Sequence, residues 1–240
     1  MRPILDGVVF DLEDTLVVRR SYQADVDHVV LEAIEQAQGC GAEKAEVLFE
    51  QMRCCLPTAL AAIEALGVTK AQLHACLDQI VLSKPVLPTP GVPDILYHLT
   101  ARGLRLGLVT NMARGLAQRV LRSAGISSGL FAAVVTGSDV VQPKPATEPF
   151  CLAMVWMALR PKRCLMIGDR EEVDLDPAKR LGMMTALVGN AAVRADHTLT
   201  SLLDLRSLVA QRYAVTGLPM PTGSPGTRHL PLCEDANRPT

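Results

Sequence analysis

The stretch VVFDLEDTL, residues 8–16, determines how the rest of the sequence is interpreted. An uninterrupted apolar run leads into Asp11 and is followed by Glu13, Asp14 and Thr15. Short runs rich in Val, Ile and Leu are typical of strands that are buried on both faces. Because successive strand residues point to opposite faces, Asp11 and Glu13 are expected on one side if the strand continues. The stretch therefore predicts a strand that brings two carboxyl groups to one place.

Four more apolar runs follow, separated by helical patterns. Strands alternating with helices indicate an α/β fold in which a parallel sheet has helices on both faces. Ligands bind such sheets beyond the carboxyl ends of the strands. The runs are LRLGLVTN (104–111), FAAVVTG (131–137), RCLMIGD (163–169) and MTALVGN (184–190), and helical patterns cover 113–125 and 147–160.

The segment 18–87 has a different pattern, with amphipathic periodicity and no strand-like run. It predicts an all-helical insert of about four helices. The insert leaves the sheet after the first strand and returns through SKPVLPTPGV (83–92), whose prolines suit a semi-rigid connector. Two connectors to one insert form a possible hinge, and such lids control access to a site. Arg19 and Arg20, at the first connector, are interpreted as surface charge in preference to contacts with a substrate carboxylate.

The remaining segments complete the predicted domain organisation. Residues 1–17 and 88–213 form the α/β core, and 18–87 form the helical cap. From 214 to 240 the chain is rich in Pro and Gly and lacks periodicity. This composition predicts a disordered tail.

Composition and charge narrow the classes of partner. The 240 residues include 24 basic and 25 acidic ones, for a formal net charge of -1. A balanced charge predicts neither nucleic-acid binding nor attraction to an anionic membrane. No run approaches the roughly 18 apolar residues of a membrane span, and Asp6 interrupts the N-terminal apolar run before a signal-peptide core can form. We therefore expect a cytoplasmic protein.

The cysteines and histidines make a zinc or disulfide protein an unfavoured interpretation. Seven cysteines are spread along the chain without a CxxC pair, and the five histidines lack ligand spacing. An odd number of cysteines in a chain of this size does not indicate a disulfide framework. The cysteines are interpreted as small apolar side chains in a reducing compartment. Catalysis is therefore expected to depend on carboxylates.

Three other stretches carry polar residues that could join Asp11 and Glu13. Thr110 and Asn111 end a predicted strand and precede a helix, where a hydroxyl and free backbone N–H groups favour an anion. Lys144 stands between two prolines, and Asp169 and Asp174 end and follow a buried run. Each also has an ordinary interpretation: helix capping for the Thr–Asn pair, a solvated turn for the lysine, and an acidic capping loop for the last pair.

Together, the four stretches predict a site for phosphoryl transfer. Asp11, Glu13, Asp169 and Asp174 would converge at the carboxyl edge of one sheet, and their repulsion requires a cation. Oxygen ligands without His or Cys select a hard ion, usually Mg²⁺ where phosphate is also bound. A lysine and an anion-binding loop beside such a site are typical of phosphoryl chemistry. One carboxylate can attack phosphorus while a second protonates the leaving oxygen and then activates water.

The sequence resembles the haloacid dehalogenase superfamily, in particular its phosphoglycolate-phosphatase-like group with a small helical cap. The motifs FDLEDTL, VTN, KP and IGDREEVD occur in the family's order, followed by AKRLGM, and the resemblance covers about 7 to 209. It implies a Rossmann-like three-layer core, a cap inserted after the first motif, and a Mg²⁺-dependent phosphomonoesterase for a small phosphorylated metabolite. No nucleic-acid or membrane partner is implied, and the substrate and oligomeric state stay open.

The resemblance also implies roles for individual residues. Asp11 matches the nucleophile and a metal ligand, and Asp169 and Asp174 match the acidic metal-binding motif. Thr110 and Asn111 match the phosphate-binding motif, and Lys144 matches the lysine that steadies phosphate and nucleophile. Glu13 stands at the position of the second acid, whose main-chain carbonyl is the family's other metal ligand there.

Glu13 is a departure from the family pattern DxDxT and leaves alternatives open. Its carboxyl lies one bond, about 1.5 Å, farther from the backbone than that of Asp. Misplacing a general acid by about 1 Å can cost about 10²-fold in rate. A degenerate member that binds a phosphorylated ligand or a partner with little turnover is therefore one alternative. A phosphomutase is another, and dehalogenation, which does not use Mg²⁺, is the least favoured.

Overall fold

The structure is a computed structural model that describes residues 2–56, 58–189 and 194–217. Its centre is a six-stranded sheet in which every neighbouring pair is parallel. The strands, in chain order, are β1 (Ile4–Leu5), β2 (Gly7–Phe10), β3 (Arg105–Val109), β4 (Phe131–Val135), β5 (Cys164–Gly168), β6 (Met184–Val188), β7 (His197–Leu199) and β8 (Ala214–Val215). The large sheet has the order β4-β3-β2-β5-β6-β7, and β1 pairs with β8 in a separate two-stranded sheet.

Helices cover both faces of the large sheet, since successive residues of its central strands are all buried. Val8 and Phe10 belong to one apolar cluster, while Val9 between them belongs to the other. The helices of the described residues are α1 (Gln23–Gln38), α2 (Ala42–Cys55), α3 (Ala59–Ala65), α4 (Lys70–Leu77), α5 (Val92–Ala101), α6 (Arg114–Ser123), α7 (Glu148–Met157), α8 (Asp176–Arg180) and α9 (Asp204–Arg212). Helices α5, α6 and α9 pack on the first face, and α7 and α8 on the second. The predicted α/β fold with a three-layer core is confirmed.

Helices α1 to α4 form the helical cap, between β2 and α5. Their buried residues, such as Ile34 and Ile63, continue the apolar cluster of the first sheet face. Helix α4 begins with a capping box, in which the Thr69 side chain accepts from the Gln72 N–H and the Gln72 side chain accepts from the Thr69 N–H. This arrangement satisfies backbone donors that a helix start otherwise leaves without partners. Within the described residues, no helix is long and apolar enough to cross a membrane.

The structure differs from the predicted elements at the end of β2, in β8 and in the short strands β1 and β7. Strand β2 ends at Phe10, so the chain does not stay extended as far as Glu13; it turns at Asp14, where φ is 55°. Ala214 and Val215, which the sequence analysis places in the tail, instead form β8, and the Thr216 hydroxyl donates to the buried Asp6 carboxylate at 2.5 Å. Strand β7 was not predicted, because three residues make too short a pattern. The predicted tail beyond 217 lies outside the described residues.

Candidate active site

The carboxyl edge of the sheet brings distant segments together. Asp11 directly follows β2, and its N–H donates to the carbonyl of Ile167 in β5 at 2.9 Å. Thr110 directly follows β3, and its N–H donates to Val135 in β4 at 2.9 Å. Asp169 directly follows β5. Because these strands are parallel and in register, their first residues beyond the sheet lie at the same edge.

Lys144 is the centre of the charged group at this edge. Its ammonium group forms an ion pair with Asp11 and donates to Oδ1 of Asp174 at 2.6 Å. The side chains are buried, with 2% of the lysine and 0% of Asp174 exposed. A buried ion in a protein needs a partner of opposite charge, because burial removes its hydration. The lysine motif and the two aspartates are therefore one electrostatic unit.

The pKa values follow from this burial and from the neighbouring charges. Burial raises the pKa of Asp11 to about 7, since the opposing effect of Lys144 is smaller. Burial, and then the charge of Asp174, raise the pKa of Asp169 to about 6. Burial alone would lower the pKa of Lys144, but the charges of Asp11 and Asp174 raise it above its usual range. The lysine is therefore charged at neutral pH, and the carboxyl groups compete for one cation.

Three of these acids could together hold a metal ion. Asp11, Asp169 and Asp174 each offer one carboxylate oxygen, and these oxygens lie within 4.8 Å of one another. The group contains only oxygen donors, which suit a hard divalent cation. The negative charge of the three carboxylates also exceeds the single positive charge of Lys144. The donor set and its charge therefore fit Mg²⁺.

A short π-helical turn, Glu171–Leu175, carries Asp174 back to the edge of the sheet. Oδ2 of Asp174 accepts from the N–H of Arg170 at 3.2 Å. A Cβ atom added to Gly168 would lie 2.6 Å from Cβ of Asp174, closer than packed atoms approach. The close approach of the turn to the end of β5 thus depends on glycine.

Thr110 and Asn111 lie beside this group, and their side chains already make hydrogen bonds to the backbone. The Asn111 side chain donates to the Lys144 carbonyl and accepts from the Lys144 N–H, both at 2.8 Å. The Thr110 hydroxyl oxygen accepts from the N–H of Met112 at 3.2 Å. Asn111 therefore fixes the backbone of the lysine loop, a contact that the sequence pattern does not reveal.

The first turn of α6, the helix that follows the Thr110–Asn111 loop, is bound by the cap. Oδ1 of Asp78 accepts from the N–H of Gly115 at 2.7 Å and from that of Leu116 at 3.3 Å. The N–H of Arg114 donates to the Ser138 hydroxyl at 3.1 Å. A carboxylate from the cap thus occupies the N–H groups of the first turn of α6.

Two further contacts join α4 to the core. The Lys70 ammonium donates to the Val140 carbonyl at 2.6 Å, and Nδ1 of His74 lies 3.0 Å from the Ser138 hydroxyl. With Asp78 at the end of the helix, three side chains spaced four residues apart contact the core along one face of α4. We call this set, Lys70, His74 and Asp78, the docking face of α4.

Glu13 lies apart from the three clustered acids. Its Oε1 accepts from the hydroxyl of Tyr22 at 3.0 Å and lies 3.5 Å from Nε of Arg19. Asp14 supports this turn, because its Oδ1 accepts from the N–H of Arg19 at 3.0 Å. The structure thus brings together Asp11, Lys144, Asp169 and Asp174, places Thr110 and Asn111 beside them, and directs the Glu13 carboxyl toward the cap connector. Sequence reasoning did not identify Tyr22, which carries no local signal for this contact.

Comparison with known proteins establishes the family. The sequence model of the haloacid dehalogenase-like hydrolases matches residues 5–182. This chain belongs to the haloacid dehalogenase-like hydrolases. The matched range includes every residue of the site described above, and the predicted superfamily is confirmed.

Individual members of the haloacid dehalogenase-like hydrolases support this membership. A phosphoglycolate phosphatase of Cereibacter sphaeroides is 31% identical over 196 residues, which are 76% of this chain and 84% of the relative. The pyrophosphatase PpaX of Oceanobacillus iheyensis is 29% identical over 133 residues, which are 52% of this chain and only 61% of that protein. The crystal structure of a HAD phosphatase from Thermococcus onnurineus superposes with a TM-score of 0.69 at 19% identity, covering 88% of this chain and 100% of the other. The named relatives are phosphatases, and the structural match confirms the fold.

Proposed function

We propose that this protein is a Mg²⁺-dependent phosphomonoesterase that hydrolyses a small phosphorylated metabolite through an aspartyl phosphate on Asp11. The observation that carries the proposal is Lys144, which is buried between Asp11 and Asp174 at the carboxyl edge of the sheet. The name of the Cereibacter sphaeroides relative, a phosphoglycolate phosphatase, supports the same reaction class. Among the relatives' substrates, phosphoglycolate is the first candidate.

The chain's residues account for both halves of the reaction. A carboxylate oxygen of Asp11 attacks phosphorus, the bond from phosphorus to the leaving oxygen breaks, and Glu13 gives that oxygen a proton. In the second half, Glu13 takes a proton from water, whose oxygen attacks the phosphorus and releases Asp11 and inorganic phosphate. Lys144 stabilises the negative charge of the phosphoryl group and holds Asp11 in place. Thr110 and Asn111 contribute to phosphate binding, and Asn111 also fixes the lysine loop.

The metal would be held by Asp11, Asp169 and Asp174, with the main-chain carbonyl of Glu13 as a further ligand. A bound Mg²⁺ would neutralise charge on the phosphoryl oxygens. The helical cap would exclude bulk water and provide contacts that select the substrate. Substrates of this kind, and a chain whose described cysteines are free thiols, support a cytoplasmic location.

The proposal is tested by measuring inorganic phosphate released from a panel of phosphoglycolate, sugar phosphates and nucleoside monophosphates. We expect hydrolysis of at least one compound with Mg²⁺, and loss of it with EDTA. Asp11→Asn should reduce hydrolysis to background, whereas Asp204→Asn, an exposed aspartate of α9, should keep the wild-type rate. No hydrolysis by the wild type, with phosphate binding retained, would instead support a ligand-binding protein with little turnover.

A further inference from the structure

The contact between Glu13 and the cap connector has a structural basis in the turn after β2. The N–H groups of Leu16 and Val17 both donate to the carbonyl of Leu12, at 2.9 and 3.0 Å. The N–H of Asp14 donates to the carbonyl of Val17 at 2.7 Å. This compact turn brings Tyr22, just before α1, back to a residue nine positions earlier. The site's second acid is therefore held by the segment that joins the core to the cap.

Tyr22 is well suited to hold a carboxyl group in place. Its side chain belongs to the apolar core, and only 2% of the residue is exposed. The hydroxyl donates to Oε1 of Glu13 at 3.0 Å. A side chain packed on all sides has few rotamers available, so the position of its hydroxyl is fixed by the core. The hydrogen bond thus restricts the position of the Glu13 carboxyl, whose side chain is longer and more flexible than that of an aspartate.

Arg19 supports the same oxygen from the solvent side. Its Nε lies 3.5 Å from Oε1 of Glu13 and also donates to the side chain of Gln23. Both described contacts of the Glu13 carboxyl are made to Oε1. The second oxygen, Oε2, is therefore the one that we assign to proton transfer. A carboxylic acid with its proton on Oε2 can keep the hydrogen bond from Tyr22 to Oε1 throughout the reaction.

The phenol of Tyr22 remains a donor at every working pH. Burial, and then the charge of Glu13, raise its pKa above the usual range. The charge of Asp11 acts on the same pKa in the same direction.

We propose that Tyr22 is a positioning residue for Glu13: its hydroxyl compensates for the extra bond of glutamate by holding one carboxyl oxygen in a fixed place. This inference rests on the proposed phosphomonoesterase function. It applies to the half-reaction in which the leaving oxygen needs a proton. Alkoxide leaving groups need that proton, whereas p-nitrophenolate is stable enough to leave without it.

The experiment compares kcat/KM for phosphoglycolate, or the best alkyl phosphate of the panel, with kcat/KM for p-nitrophenyl phosphate. Tyr22→Phe keeps the buried ring and removes only the hydroxyl. We expect it to lower kcat/KM for the alkyl phosphate about 10- to 100-fold, and that for p-nitrophenyl phosphate less than about threefold. Tyr213→Phe is the matched control, because Tyr213 is also buried and its hydroxyl lies 2.5 Å from Nε2 of His197. The control should leave both values unchanged.

A second variant separates positioning from a general structural role. Glu13→Gln should show the same selective loss as Tyr22→Phe, and adding Tyr22→Phe to it should cause no further selective loss. Equal losses for both esters in Tyr22→Phe, or an undiminished effect of Tyr22→Phe in the Glu13→Gln background, would overturn the inference while leaving the phosphatase function intact. Absence of activity toward both esters in the wild type would overturn both. If Tyr22→Phe does not fold, an unselective loss in Glu13→Gln alone would overturn the inference.

Discussion

At the scale of single residues, the buried site contains more negative than positive charge. Three carboxyl groups, those of Asp11, Asp169 and Asp174, face one ammonium group, that of Lys144. Burial raises the pKa values of Asp11 and Asp169 to about 7 and about 6. Without another cation, part of the excess negative charge is removed by protonation near neutral pH. Protons and a divalent cation therefore compete for the same oxygens.

This competition predicts a pH dependence of Mg²⁺ binding. Below the raised pKa of Asp11, about 7, that carboxyl is protonated and must release its proton when Mg²⁺ binds. Mg²⁺ affinity should therefore rise from pH 5 to pH 8, by up to about tenfold per pH unit for each proton released. Calorimetry in two buffers of different ionisation enthalpy measures the protons released. An affinity that is constant over this range would contradict the assignment of Asp11 as a ligand.

Residue types, more than their contacts, could be predicted from the sequence. The sequence predicts that Asp11, Glu13, Asp169 and Asp174 converge at one edge beside a lysine, because parallel strands align their carboxyl ends. The structure brings together all of these groups except the Glu13 carboxyl. The position of the Glu13 carboxyl could not be predicted, since it depends on a turn with a positive φ at Asp14 and on a tyrosine beyond it. The alternation of side chains along a strand does not indicate where the strand ends and a turn begins.

At the scale of elements, α4 and α6 meet end to end through Asp78. An acid at the C-terminal end of a helix is unfavourable for that helix, but at the N-terminus of another it is favourable. Asp78 ends α4 and accepts from the first-turn N–H groups of α6. A Cβ atom on Gly115 would lie 2.6 Å from Oδ1 of Asp78, so the contact also needs glycine there. The cap is thereby joined to the helix that follows the Thr110–Asn111 loop.

Removal of the Asp78 carboxylate should weaken the packing of the cap on the core. Asp78→Ala leaves two N–H groups of α6 without their partner, and we expect a loss of about 0.5–2 kcal/mol in the free energy of unfolding. Asp78→Asn, which keeps an acceptor, should lose less. Urea denaturation measures both, and Glu46→Ala, at an exposed position of α2, is the control. Equal stability of Asp78→Ala and the control would show that the contact contributes nothing.

Elements of regular length were predicted well and short ones were not. The five apolar runs correspond to β2 to β6, whose observed ends lie within a few residues of the predicted ones. The strands β1, β7 and β8 contain two or three residues each, too few to show a period. Their pairing is decided by tertiary contacts, such as the ion pair of the buried Asp6 with Arg163 beside β1. The role of Asp78 likewise could not be predicted from the sequence, because its partner is the backbone of a helix 37 residues away.

At the scale of the whole molecule, the site exists only when the sheet is assembled. Its members follow β2, β3, β4 and β5 and come from positions between 11 and 174. An unfolded chain cannot bring these groups together. A ligand of the site therefore binds the folded state alone and should stabilise the entire core.

This linkage can be measured with beryllofluoride and Mg²⁺, a mimic of phosphate bound to aspartate. At a free concentration of 100 times its Kd, the mimic should raise the free energy of unfolding by about 2.7 kcal/mol. Urea denaturation with and without the mimic measures this increase. Asp11→Asn lacks the carboxylate to which the mimic attaches and should show no increase. A similar increase in the variant would place the binding elsewhere.

The docking face of α4 has a consequence for how this protein can change over generations. Two of its three contacts are made to main-chain atoms, from Lys70 to the Val140 carbonyl and from Asp78 to the N–H groups that begin α6. Main-chain atoms are present whatever side chain a position carries. The loop around Val140 can therefore accumulate substitutions while the cap stays bound to the core. An inserted or deleted residue would move the Val140 carbonyl away from Lys70. Substitutions are tolerated in this loop, whereas insertions and deletions are not.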